Sequence, residues 1–220
     1  MPGTLQTVRE YLDVSPWEFS EIVVVDDGSR DRTAEVARDA GARLLQNPGN
    51  RGKGFSVRHG VLDAKGQWVL VTDADLSSPV AELAKLWSAA ERERAQVAIG
   101  SRAMDRSLVG VHQPFIREMA GRFFNVSMRI VTGLPFRDTQ CGFKLFEAQA
   151  AREIFRRQQL DGFGFDVEVL FIARLLGYRA VEVPVRWDNV EGTKVSLWLG
   201  AKGFLDPLQV RWNGMTGKYR

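Results

Sequence analysis

Two carboxylates one residue apart, Asp73 and Asp75, follow the apolar run Val69-Leu70-Val71 and precede Pro79 and a helical pattern. Such a run reads as a buried strand, and open α/β sheets take their ligands just beyond the carboxyl ends of strands. Carboxylates converging there repel each other unless a cation or hydrogen-bond donors compensate. A hard divalent ion, Mg2+ or Mn2+, holding a diphosphate meets that need, because it takes few carboxylates and completes its shell with phosphate and water oxygens. The tripeptide alone also reads as a helix cap plus a solvated turn residue. A second acidic pair, Asp26-Asp27, ends the β-branched run Glu21 to Val25. Arg51 and Lys53 sit among the glycines of Gly49-Asn50-Arg51-Gly52-Lys53-Gly54. That cluster departs from the Walker pattern, since Gly54 follows the lysine and Asn47 stands where the first glycine belongs, and its glycine spacing is not the dinucleotide fingerprint. It remains either a helix N-terminus suited to an anion or a solvated turn. Asp166 and Glu168 open a later helix, a place where the macrodipole favours acids whatever their function.

The elements that must position these groups alternate along the chain. A helical pattern over Met1 to Leu12 is followed by the strand from Glu21 to Val25, a helix through Asp39, a strand from Ala42 to Leu45, a turn at Asn47-Pro48-Gly49 and a helix from Gly52 to Ala64. The strand from Trp68 to Thr72 leads into the acidic pair, and Val97 to Gly100 forms another, ending in Ser101-Arg102. This alternation predicts a mostly parallel α/β sheet flanked by helices. A helix from His112 to Val131 mixes apolar side chains with Arg117, Arg122 and Arg129, which suits either a membrane interface or a core-packed face. Helices from Glu147 to Gln158 and up to Leu176 follow, then Val181 to Val185, whose proline marks an edge strand. From Ser196 to Arg220 the spacing fits an amphipathic helix broken near Pro207.

Composition narrows the function classes. The 220 residues carry 30 basic and 27 acidic side chains, a formal charge of +3, so any attraction to anions is local and nucleic acid is not indicated. Cys141 is the single cysteine, which excludes an internal disulfide framework and points to a reduced, cytoplasmic setting. No stretch approaches the ~18 consecutive apolar residues of a spanning helix, so the expectation is a soluble or peripheral protein.

Taken together, the segments Val24-Val25-Asp26-Asp27-Gly28-Ser29, Asn50-Arg51-Gly52-Lys53-Gly54, Asp73-Ala74-Asp75-Leu76-Ser77, Gly100-Ser101-Arg102, Asp138-Thr139-Gln140-Cys141-Gly142-Phe143-Lys144 and Phe165-Asp166-Val167-Glu168, with Glu182-Val183-Pro184-Val185 behind them, resemble the inverting family 2 glycosyltransferases. The branch they match moves sugar from a nucleotide sugar to dolichyl or another polyprenyl phosphate, and the dolichyl-phosphate β-glucosyltransferase type is most similar. The resemblance implies a GT-A, Rossmann-like domain over residues 1–190 and a C-terminal amphipathic segment over 191–220. It places Asp73 and Asp75 at the diphosphate and its Mg2+ or Mn2+, with Asp75 the more direct ligand. Asp26 and Asp27 would face the uracil or ribose, and Lys53 would lie near the nucleotide. Arg102 and Arg117 would hold the acceptor phosphate, which suits the bidentate arginine fork. Ser77 stands where the mannosyl branch carries glutamine, which tilts the donor toward UDP-glucose. A lipid phosphate is already anionic, so it needs no strong general base, and Gln140 and Asp166 are expected to orient groups near the sugar. The implied location is peripheral, at the cytoplasmic face of a membrane.

One departure stands out. Relatives begin with a strand ending in a Pro-x-Tyr/Phe-Asn-Glu-like segment, and Met1 to Leu12 matches only the helix after it, so the first strand is expected to be missing, with the start set at an internal methionine. The competing readings are transfer to a saccharide hydroxyl, which would require Asp166 or Glu168 as a base, a non-catalytic nucleotide-sugar or membrane-surface module, and a nucleotidyltransferase.

Overall fold

The computed structural model describes residues 2–111, 125–189 and 205–220. In chain order these form α1 (Pro2–Asp13), β1 (Val23–Asp26), α2 (Thr33–Asp39), β2 (Arg43–Gln46), α3 (Lys53–Asp63), β3 (Trp68–Val71), α4 (Leu83–Glu93), β4 (Val97–Ser101), β5 (Val109–Val111), a helical stretch α5 over 125–132, β6 (Lys144–Glu147), α6 (Ala148–Arg157), α7 (Phe165–Leu175), β7 (Ala180–Pro184), β8 (Trp187–Asp188) and α8 (Asp206–Met215). The α/β class and the flanking helices agree with the sequence reading. The remainder of the helix expected from His112, including Arg117, lies outside the described residues, as do Leu197, Trp198, Leu199 and Phe204 of the tail.

The main sheet has the order β3-β6-β4-β7 and is mixed rather than uniformly parallel. β4 and β7 run parallel, while β6 lies antiparallel between β3 and β4. This strand was not foreseen, and the reason is physical. It has four residues, opens on a lysine and passes into α6 with no turn, because Glu147 is both its last residue and the N-cap of the helix, its carboxylate accepting from the Gln149 and Ala150 amides. β7 is the edge strand that its proline foretold. β1 and β2 form a separate parallel pair, and among the described residues no ladder joins β1 to β3.

Period-two alternation divides the core. Val69, Val71, Val97, Ile99 and Phe146 face a layer built by α3, α6, α7 and α8. Trp68, Leu70, Ala98, Leu145 and Val183 face the opposite layer, with Leu86 of α4 and the ring cluster Tyr11, Trp17 and Trp87. All five residues of β4 are buried. Ahead of Pro207, residues 196–204 of the expected helix lie outside the described residues, and what is described is the helix that Pro207 opens. The proline occupies the first turn of α8, where its missing N–H costs nothing, and the helix continues to bury Val210 and Asn213.

This layout fixes where side chains converge. β1, β3 and β4 end at Asp26, Val71 and Ser101, just before Asp27, Asp73 and Arg102. Because β6 is antiparallel, its first residue, Lys144, pairs with Val71 and Ile99 and arrives at the same end of the sheet.

Candidate active site

Beyond the end of β3 the chain turns tightly. The Leu76 amide donates to the Asp73 carbonyl at 3.1 Å, and Leu76 itself adopts φ +48°, a left-handed conformation rare for a branched side chain. Strain of this kind is retained where the surroundings over-determine it and gathers at functional turns. The turn is buttressed from both sides: Thr4 Oγ1 of α1 donates to the Ala74 carbonyl at 3.0 Å, and the Asp188 amide of β8 donates to the Ser77 carbonyl at 2.8 Å. Asp75 is exposed and accepts from the Ser77 amide through one oxygen, 3.0 Å away. Asp73 is half-buried and takes the Lys53 ammonium at 2.7 Å.

Lys53 is delivered by the glycine cluster. Burial acts to lower its pKa, but the charges of Asp166, Asp73 and Asp75 outweigh that and hold it above the ordinary lysine value. Gly52 precedes the helix with φ +99°, and a Cβ there would lie 2.5 Å from the Asp161 carbonyl oxygen, so only glycine fits. Asp27 closes this loop, accepting from the Arg51 amide, the Gly52 amide and Asn47 Nδ2, each at 2.8 Å. Burial works to raise the Asp27 carboxyl, and these hydrogen bonds outweigh it, leaving the group below its ordinary value. Asp26 is buried and accepts from the Ser29 amide at 2.9 Å. The acidic pair after β1 therefore organises two loops, with Asp27 bound directly to the glycine loop.

Arg102 lies across the sheet end from these groups. Its Nε and Nη2 donate to the two oxygens of Asp138 at 2.7 and 2.9 Å, and its backbone amide donates to the same carboxylate at 3.1 Å. The guanidinium stands 5.5 Å from the centroid of the Trp187 ring. Burial works to raise the Asp138 carboxyl, but the Arg102 charge holds it below the usual carboxylate range. Glu182 of β7 fixes the backbone here by accepting from the Arg137 and Asp138 amides.

Asp166, in the first turn of α7, forms a buried ion pair with Lys144, whose ammonium also donates to the Cys141 carbonyl at 2.6 Å. Cys141 is buried, and that burial pushes its thiol up to about 11, away from the thiolate form. Gly142 lies directly under Asp73: a Cβ there would meet Asp73 Oδ2 at 2.1 Å. Gln140 is half-buried, with its amide donating to Asp138 at 3.3 Å. The structure thus brings Lys53, Asp73, Asp75, Arg102 and Asp166 to one end of the sheet, whereas Arg117 lies outside the described residues. Sequence reasoning did not assign Asp138, Lys144, Gly142 or Glu182 their parts. Three of them fall in the stretch Asp138 to Lys144 already singled out, but only the fold reveals their partners.

Among the described residues no cluster of three or more His, Cys, Asp or Glu side chains forms a ready-made metal cage. The donor chemistry still fits a hard divalent ion shared with a ligand's phosphates, because Asp73 and Asp75 offer carboxylate oxygens and an exposed turn leaves room for the rest of the shell.

Residues 1–155 match the glycosyl transferase family 2 description. The chain belongs to that family. It is 34% identical over 223 residues to a dolichyl-phosphate beta-glucosyltransferase of Trichomonas vaginalis, covering 96% of this chain and 68% of the relative. The mouse dolichyl-phosphate beta-glucosyltransferase is 36% identical over 215 residues, covering 91% of this chain and 66% of its own length. The family 2 chain therefore spans about two-thirds of the length of these curated relatives. Among solved structures it is similar to mannosyl-3-phosphoglycerate synthase from Rubrobacter xylanophilus, with a TM-score of 0.70 at 19% identity over 99% of this chain and 70% of that one. It is also similar to glucosyl-3-phosphoglycerate synthase from Mycobacterium tuberculosis in complex with Mn2+, UDP-glucose and phosphoglyceric acid, with a TM-score of 0.66 at 19% identity over 96% and 76% of the two chains. These likenesses establish the GT-A fold.

Proposed function

We propose that this family 2 chain transfers glucose from UDP-glucose to dolichyl or another polyprenyl phosphate, with inversion to a β-linked product. The observation that carries this reading is the pairing of three carboxylates at the sheet end, the fourth, Asp75, being exposed in the turn and assigned to the metal. Asp166 is paired with Lys144, Asp138 with Arg102 and Asp73 with Lys53, so none of the three is a free base. Such a site suits an acceptor that arrives already ionised, as a phosphate does, and suits a sugar hydroxyl poorly. The names of the curated relatives supply the acceptor class, and the UDP-glucose and Mn2+ named for the mycobacterial structure support the donor and the metal.

Asp73 and Asp75 would hold Mg2+ or Mn2+ together with the diphosphate, and when bound the ion supplies positive charge against which UDP departs. Lys53 adds a fixed cation beside Asp73, on a loop whose shape Asp27 maintains. Arg102, with Nε and Nη2 taken by Asp138, would turn Nη1 to the acceptor phosphate, and Arg117 is proposed as its partner there. Gln140 and Asp166 orient groups near the sugar. Asp166, neutralised by Lys144, does so without accepting a proton.

The acceptor places the reaction at a membrane surface, and a free cysteine suits the reducing cytoplasmic side. No helix among the described residues is long and apolar enough to cross a membrane. α8 instead exposes Leu208, Trp212 and Met215, with Leu205 just ahead of it, spaced three and four residues apart along one face. That stripe suits docking on a bilayer. The test is a transfer assay in which dolichyl phosphate and a soluble saccharide compete for label from UDP-glucose. Label in the lipid supports the proposal, and label in the saccharide alone overturns it.

A further inference from the structure

Glu168 takes no part in the chemistry proposed above, yet it is fully buried and its carboxylate is saturated with donors. Oε1 accepts from the Gln159 amide at 3.0 Å and from Tyr219 Oη at 2.7 Å, and Oε2 accepts from the Leu160 amide at 2.8 Å. Asn213 Nδ2 in turn donates to Tyr219 Oη at 3.3 Å. An acid that only favoured a helix dipole would be solvated. This one is spent on fixing residues 159–160, and those residues lead to the glycine loop. Gln158 Nε2 donates to the Gly54 carbonyl at 2.9 Å and to the Leu160 carbonyl at 2.7 Å. The Phe55 amide donates to the Asp161 carbonyl at 3.2 Å, and Arg58 donates to the Gln158 carbonyl at 3.1 Å and to Asp161 Oδ1 at 2.8 Å. The loop is also closed sterically, since Cβ atoms on Gly52 and Gly54 would each lie 2.5 Å from a carbonyl oxygen, of Asp161 and Leu160 respectively.

A continuous path of hydrogen bonds and close contacts therefore runs from the C-terminal residues to the loop that carries Lys53. We infer that Glu168 is a positioning residue for the glycine loop, held in that role by Tyr219, so that residues 205–220 are part of the frame of the donor site. The inference rests on the proposed use of that loop for a nucleotide sugar only as far as its effect on turnover is concerned; the mechanical coupling stands on the contacts alone.

Two variants test it, Glu168→Gln, which puts an amide against two backbone donors, and Tyr219→Phe, which deletes one hydroxyl and keeps the ring. The first readout is hydrogen exchange of the ligand-free protein. Exchange across residues 49–56 should quicken about tenfold in either variant, as loss of a hydrogen bond to a charged group implies, while residues 97–101 of β4 stay protected as in the parent. The second readout is steady-state transfer, where KM for UDP-glucose should rise about tenfold with kcat and the KM for dolichyl phosphate within about twofold. Unchanged exchange over 49–56 in a folded Tyr219→Phe protein overturns the inference, and so does faster exchange there with an unchanged donor KM. If the parent transfers no glucose, the functional reading fails, and the exchange result still decides the coupling. If Glu168→Gln does not fold, the Tyr219→Phe arm alone decides.

Discussion

Replacing Gly142 by alanine should disable the carboxylate end of the site while leaving the fold nearly intact. The backbone of Gly142 is not in the left-handed region, so alanine strains nothing there. The new Cβ, however, would stand 2.1 Å from Asp73 Oδ2 and 2.7 Å from its Cγ. Contacts under 3.0 Å do not persist, so the carboxylate must swing away by about 1 Å. Forcing Asp73 off its rotamer costs about 0.5–1.5 kcal/mol. Loss of the Lys53 pair adds at most about 1 kcal/mol, because the Asp73 side chain is 40% exposed and solvent screens the interaction. Together, at about 0.5–2.5 kcal/mol, these lower Tm by about 1–10 °C in a domain of this size, at about 2–4 °C per kcal/mol. The functional effect is far larger, since a misplacement of about 1 Å can cost about a hundredfold. With Mn2+ and UDP supplied at about 100 times the parent Kd, binding stabilises the parent by about 2.7 kcal/mol, and a hundredfold weaker variant by about 0.4 kcal/mol. Thermal unfolding with and without ligand reads the difference directly: a shift of about 5–11 °C in the parent should shrink to about 1–2 °C in Gly142→Ala. Gly162→Ala, where a Cβ meets nothing within 4 Å, is the control and should behave as the parent. A full ligand-induced shift in Gly142→Ala would refute the placement of Asp73 at the metal and diphosphate.

Three further outcomes follow from the geometry. Asp166→Asn leaves Lys144 buried with its charge uncompensated, so urea unfolding should show a loss of about 3–5 kcal/mol, and the pH–rate profile should scale down without changing shape; loss of a basic limb would make Asp166 a base after all. Asp138 has a folded pKa below the unfolded value of about 3.9, so its contribution to stability is complete above that value and is lost as pH falls through the folded pKa. Asp138→Asn should therefore cost about 3 kcal/mol at pH 7 and less at pH 3, and an equal cost at both, measured by urea unfolding, would contradict the pairing with Arg102. Leu208→Asn combined with Trp212→Ala removes the centre of the exposed stripe on α8 and should abolish sedimentation with anionic vesicles at unchanged Tm; undiminished sedimentation would assign membrane binding elsewhere.

The parts of this molecule legible in its sequence are those set by local pattern. The runs ending in Val25, Val71 and Gly100 announced their strands, because each is apolar, short and followed by a turn or helix signal. The acidic pairs and the glycine cluster were found because unusual residue types stand at strand ends. What escaped were features fixed by tertiary partners. β6 opens on Lys144, a residue disfavoured in a buried strand, and it is tolerated only because Asp166 arrives from α7 to neutralise it. Asp138 is an ordinary polar loop residue until the fold sets Arg102 against it. Asp27 also holds the glycine loop, a contact made between residues 24 or 25 apart in the chain and therefore invisible to local spacing.

The most direct test of the central claim is transfer of labelled glucose from UDP-glucose into dolichyl phosphate in the presence of Mn2+, with the parent and Asp75→Asn run side by side. The parent should place label in the lipid fraction as a β-linked glucosyl phosphate, and Asp75→Asn should lose at least about a hundredfold. Transfer that survives the Asp75 substitution undiminished, or label that enters only water-soluble saccharide, would contradict that claim.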